Sequence, residues 1–247
     1  MDTYQQRVSI IGLAALDPYG LALAGGYALQ AHGLVTRPSA DIDLFTDQCD
    51  TDRFTEAVRA ATAAWEADGM HVTVLRRANT FARITLRHPS GNEVHVDLAA
   101  DARRHAPATM SLGPVINETE AVGSKVAALF SRGEARYYLD VAGILASGRY
   151  HPAELLRLGA DADPGFHPAI LADALRAIDR YPDQEFTRYG LPSPDVTRLR
   201  ATMLRWAEQI DPQLPPPSRT AGPSTPQRAA ATPEPPQQPD PPGLSLG

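Results

Sequence analysis

The chain has 247 residues, 43% of them hydrophobic, and a formal charge of −6, which supplies enough apolar material for one large or two small cores. That charge excludes a generally basic nucleic-acid coat, so any RNA contact needs a local patch. The lone Cys49, the lack of a basic-then-apolar leading segment and apolar runs far shorter than the roughly 20 residues that cross a bilayer lead to the expectation of a cytoplasmic protein with no membrane span.

In chain order, residues 5–16 have helical character. Residues 20–24 make a short apolar strand that ends at Gly25-Gly26, where a helix over 27–32 starts. Residues 39–45 alternate as a strand, with Ile42 and Leu44 pointing one way and Asp41 and Asp43 the other. An alanine-rich amphipathic helix covers 51–68. Strands at 72–75 and 81–87 follow, and Pro89-Ser90-Gly91-Asn92 turns a hairpin into a strand over 93–98. Beyond 115 helical periodicity takes over, at 118–130, 136–146, 152–158, 167–178 and 193–209. From residue 212 prolines are dense and large apolar residues scarce, so the segment cannot bury enough surface to offset its ordering entropy. The expected architecture is α+β: a mixed sheet flanked by helices over 1–110, a helical lobe over 111–211 and a disordered Pro-rich tail over 212–247. No fixed-period repeat argues for a solenoid.

Asp41 and Asp43, two apart on a strand, project from one face about 7 Å apart at the backbone. Like charges so placed repel, and a divalent cation between them removes the repulsion. Alone, D-x-D also fits a solvent-exposed strand end. The preceding Gly-Gly pair changes the balance, because glycine lets backbone amides approach phosphate oxygens where a helix begins. On the strand at 93–98, Val94, Val96 and Leu98 alternate with Glu93, His95 and Asp97, so Asp97 faces away from the core as a third metal ligand, with Glu93 as its rival. Of the 23 basic residues only Lys125 is a lysine, a compact ammonium in a chain that otherwise uses guanidinium. Arginines gather at Arg76, Arg77, Arg83, Arg87, Arg103 and Arg104, as a patch or as ordinary solvated faces.

The stretch LAGGYALQAHGLVTRPSADIDLF resembles the first motif of the AbiEii/AbiGii-type nucleotidyltransferase toxins of the polymerase-beta-like superfamily, and KVAALFSRGEARYYLD resembles their second and third. The resemblance covers most of 20–145. It implies transfer of a nucleoside monophosphate from an NTP to an acceptor hydroxyl, with Mg2+ or Mn2+ as cofactor. The implied acceptor is a tRNA 3′ end, and the implied partner is a separately encoded antitoxin. Gly25, Gly26 and Ser39 would line the nucleotide phosphates, Asp41 and Asp43 would bind metal, Lys125 would contact the triphosphate, and Asp140 would be the third-motif acid. Arg132 and Arg136 would join Lys125, since offsets of 7, 11 and 15 from Lys125 stay on one side of a continuous helix, which Gly133 would split. Either Asp97 or Asp140 could accept the acceptor's proton. Tyr137 stands where relatives carry an acid, and Glu118 and Glu120 receive no role. His32 is expected to pack beside the Gly33 turn. A small-molecule or protein hydroxyl as acceptor, or a non-catalytic nucleotide-binding module, are the competing readings.

Overall fold

The computed structural model describes residues 1–210, so the expected tail at 212–247 lies outside the described residues. Helix α1 (Thr3–Leu16) starts in a capping box, the Asp2 carboxylate accepting from the Gln5 amide while the Gln5 side chain accepts from Asp2 N–H. Strand β1 (Ala22–Leu23) is shorter than the expected 20–24, because only these two residues pair with β2, Leu23 pairing with β7 as well. Helix α2 (Gly25–Ala31) begins at the glycine pair rather than after it. Strand β2 (Asp41–Thr46) alternates strictly between buried and partly exposed residues, as expected of DIDLFT.

Helix α3 (Thr51–Ala67) is capped by the Asp50 side chain. Strands β3 (His71–Ala78), β4 (Phe81–Arg87) and β5 (Glu93–Ala100) form the expected meander. A second hairpin, β6 (Ala108–Met110) and β7 (Gly113–Val115), carries too little apolar alternation to be legible in the sequence. Together they form one seven-stranded mixed sheet in the order β3-β4-β5-β2-β1-β7-β6, with β2–β5 and β1–β7 parallel and the other pairs antiparallel. Strand β7 carries the sheet past residue 110, where the first lobe was expected to end.

Helices α1 and α3 cover one face of this sheet. The fully buried Trp65 of α3 donates its indole N–H to the Val8 carbonyl of α1 at 3.0 Å. A β-carbon on Gly12 would touch both Trp65 and Leu44, which places the apolar side of β2 under α1. Asp41 and Asp43 therefore open onto the opposite face, toward α2 and the helices that follow.

Those are α4 (Glu118–Arg132), α5 (Ala135–Ala146), α6 (Pro152–Ala162), α7 (Pro168–Arg176), α8 (Gln184–Thr187) and α9 (Ser193–Gln209). Helix α6 runs four residues past its expected end at 158, and α8, a single turn, gave no periodicity to read. Gly133 adopts φ +62° and ends α4, so the motif from Lys125 to Asp140 bends between two helices. Helices α4 and α6 approach so closely at Gly123 that a β-carbon there would lie 2.6 Å from the Leu158 carbonyl oxygen. Gly123→Ala is expected to force these helices apart and destabilise the protein by about 1–3 kcal/mol, measured by urea denaturation; unchanged stability would contradict this packing.

Candidate active site

Parallel pairing of β2 with β5 sets Asp43 beside Asp97 and Asp41 beside His95. Paired residues project from the same face, so three carboxylates, Asp41, Asp43 and Asp97, occupy neighbouring positions there. Glu93 lies beyond Asp41's partner along β5 and pairs with Arg87 at 2.5 Å, so of the two rivals Asp97 is the one brought to Asp43. Burial is the main cause that pushes the Asp43 carboxyl up to about 6; the Lys125 and Arg136 charges oppose this, while Asp97 and Asp41 add to it. Antiparallel pairing of β4 with β5 places Arg83 on the other side of Asp97. Its guanidinium grips both oxygens, Nε to Oδ1 at 2.8 Å and Nη2 to Oδ2 at 2.6 Å. Among the described residues no group of three or more His, Cys, Asp or Glu side chains is placed to hold a metal ion.

Gly25 closes over this face. It has φ +60°, and a β-carbon there would lie 1.7 Å from Asp43 Oδ2, so both backbone and space demand glycine. The Ala24 amide donates to the Asp43 carbonyl at 2.8 Å, tying the turn to β2. Gly26 faces Ser39, whose Oγ a β-carbon would approach to 2.9 Å. Ser39 Oγ itself donates to the Asp41 carbonyl at 3.3 Å.

Asp140, on α5, is fully buried. Arg37 binds both its oxygens, Nε to Oδ1 at 2.6 Å and Nη2 to Oδ2 at 2.7 Å, and Lys125 Nζ lies 3.4 Å from Oδ2. This carboxylate joins the loop before β2 to α4 and α5. Arg37 stands in the sequence motif but carried no expectation, since an arginine before a proline looks like any loop cation. Lys125, Arg132 and Arg136 do gather, though not along one helix. They surround the ring of Tyr137, with Nζ 5.7 Å and both guanidinium carbons 5.0 Å from its centroid, across the corner Gly133 makes. The tyrosine in the acid's place is thus a buried hub that three cations share.

His32 packs as expected, Nε2 meeting the Ile116 carbonyl at 2.8 Å. Glu118 binds Arg149 and Tyr150, and Glu120 accepts from the Arg104 and His105 amides, so both brace loops. Of the arginine cluster, Arg87, Arg103 and Arg104 are engaged in bonds to Glu93, to the Gly20 and Phe45 carbonyls and to Asp161. Arg76 and Arg77 are exposed on the edge strand β3, Arg76 lying over Phe81. A groove of about 870 Å³ between the 33–38 loop, α5 and the start of α9 reaches Arg37 but none of the strand carboxylates.

A mixed sheet with acids on adjacent central strands and a cationic helical corner facing them is the arrangement of a nucleotidyltransferase fold. The fold is similar to solved structures that include JHP933 from Helicobacter pylori (TM-score 0.51, 14% identity, covering 84% of this chain and 89% of that one) and MenT4, a nucleotidyltransferase toxin from Mycobacterium tuberculosis (TM-score 0.55, 19% identity, covering 83% of each chain). No curated protein matches significantly in sequence. The family model described as nucleotidyl transferase AbiEii toxin, type IV toxin–antitoxin system, matches residues 13–222. The chain belongs to this family and is an NTP-using nucleotidyltransferase.

Two outcomes follow from the geometry. Removing Arg37 strands the buried Asp140 charge beside a single remaining cation, so Arg37→Ala should lower unfolding free energy by about 3–5 kcal/mol, read by denaturant titration. A carboxyl with a raised folded-state pKa costs stability as pH rises through 4 to 6. Asp43→Asn should therefore be more stable than the parent by about 1–3 kcal/mol at pH 7.5 in chelator-containing buffer, with the gain vanishing near pH 4. A mutant less stable at pH 7.5 would refute the burial argument.

Proposed function

We propose that this toxin transfers a nucleoside monophosphate from an NTP to the 3′-terminal hydroxyl of tRNA in a divalent-metal-dependent reaction. The observation that carries this reading is the convergence of Asp41, Asp43 and Asp97 on one sheet face opposite the Lys125 corner. The donor set suits Mg2+ or Mn2+: carboxylate oxygens alone, on adjacent strands, mutually repelling, with Asp43 costly to ionise without a nearby cation. Asp41 and Asp43 would hold the ion and Asp97 would complete its ligands. When bound, the ion neutralises charge on the reacting phosphate and on the pyrophosphate that departs.

The chain's own groups do the rest. Gly25 and Gly26 leave space for the phosphates beside β2, and Ser39 borders that space. The Lys125 ammonium, aimed by Asp140, binds the β- and γ-phosphates, and Arg132 and Arg136 extend the positive surface for the leaving group. The acceptor oxygen attacks the α-phosphorus as the bond to pyrophosphate breaks, and a carboxylate oxygen of Asp97 takes the hydroxyl proton. Asp140 is unsuited to that step, being fully buried between Arg37 and Lys125, whereas Asp97 lies beside Asp43 on the strand face and its partner Arg83 is 46% exposed; Asp140 is a positioning residue for Lys125 and Arg37. The exposed Arg76 and Arg77 beside Phe81, on the same lobe as the carboxylates, supply the local patch that an RNA acceptor needs in an acidic chain.

As a family toxin it would act in the cytoplasm, where its NTP is found, restrained by a cognate antitoxin. Among the described residues no helix is long and apolar enough to cross a membrane. Incubation with each labelled NTP, Mg2+ and total cellular RNA should label tRNA. Label in a small molecule or in protein would transfer the acceptor assignment there, and no label with any NTP would contradict turnover. Asp43→Ala and Lys125→Ala should each cut transfer at least about 100-fold with the fold retained; a variant with the parental rate would remove its residue from the mechanism.

A further inference from the structure

Asp97 stands between two unlike neighbours. On the β2 side is Asp43, another carboxylate; on the β4 side is Arg83, whose guanidinium grips both Asp97 oxygens. A planar fork bound to two carboxylate oxygens fills the in-plane positions from which a metal ion would take them. Nothing comparable is bound to Asp41 or Asp43: neither is in a salt bridge among the described residues, so the three carboxylates are not equivalent. Arg83 is also built to leave. Its side chain is 46% exposed against 11% for Asp97, so it covers the carboxylate from the solvent side and can swing outward without disturbing the core. Its register partner on β3 is Arg76, which lies over Phe81, so the outward path runs along a polar, exposed strand edge.

We infer that Arg83 is a positioning residue that acts as a resident cation on Asp97, competing with the divalent ion for the third carboxylate and keeping the site at two ligands until Arg83 is displaced. The inference rests on the metal-site reading above. Bound, Arg83 offsets the repulsion between Asp97 and Asp43 without a metal; displaced, it surrenders that task to the ion. The enzyme's affinity for metal is thereby set by a residue that would not be a ligand. A purely structural arginine would give the opposite behaviour, since its loss would loosen β4–β5 and weaken any site built on β5.

The test is direct Mn2+ binding to the full chain without nucleotide, read from the free-ion electron paramagnetic resonance signal. Arg83→Gln should bind Mn2+ at least about tenfold more tightly than the parent, because a competing unit charge is gone. Arg83→Lys, which keeps the charge but cannot fork both oxygens, should fall between them. Adding Asp97→Asn to Arg83→Gln should erase the gain. Equal or weaker binding by Arg83→Gln would overturn the inference, and so would parental affinity in Arg83→Lys, which settles the matter should the glutamine variant fail to fold. Binding that depends on Asp43 but is indifferent to Arg83 would defeat this inference alone. Binding indifferent to Asp43 would defeat the metal-site reading with it.

Discussion

Three carboxylates on neighbouring positions of two central strands repel one another, and positive charge brought to them relieves that repulsion. That constraint organises the molecule. The sheet register creates the problem by setting Asp43 beside Asp97. The surroundings answer it with Arg83 from β4 and with Lys125 and Arg136 from the helices. The Asp43 carboxyl still stays raised to about 6, mainly through burial, with Asp97 and Asp41 adding to the effect.

The helical lobe exists, for the site, to deliver cations to a fixed place. Gly133 turns α4 into α5, so that Lys125 and Arg132 before the turn and Arg136 after it meet around one tyrosine ring. Asp140 then anchors Lys125 from behind and reaches across to Arg37 in the loop that leads into β2. Because Arg37 and Lys125, from different segments, both bind that buried acid, the loop leading into β2 is tied to the helix that carries Lys125. Orientation of this kind lowers the barrier by fixing reactants before the chemical step.

Much of the fold was legible in the sequence. The strict alternation of DIDLFT gave β2 its faces, and the Pro-Ser-Gly-Asn turn fixed the meander that carries Asp97 to the same side. The hairpin of β6 and β7 was not legible, because a three-residue strand has too few positions to show a period. At the site, the residue types pointed to candidate acids and a lysine, but not to how they are held. Arg37, Arg83 and Tyr137 act through contacts between residues far apart in the chain, and such contacts leave no local pattern. Asp140 is instructive: a spacing of fifteen from Lys125 suggested one side of a continuous helix shared with Arg132 and Arg136, whereas the chain turns at Gly133 and Asp140 is a fully buried anchor on the next helix.

The account stands or falls on whether the β2 acids hold a metal ion. Anomalous diffraction from crystals grown with Mn2+ and a nonhydrolysable NTP analogue measures this without reference to turnover. A manganese peak within about 2.2 Å of carboxylate oxygens of both Asp41 and Asp43, with the triphosphate running toward Lys125, is the predicted result. Bound nucleotide with no manganese at those two side chains would contradict it.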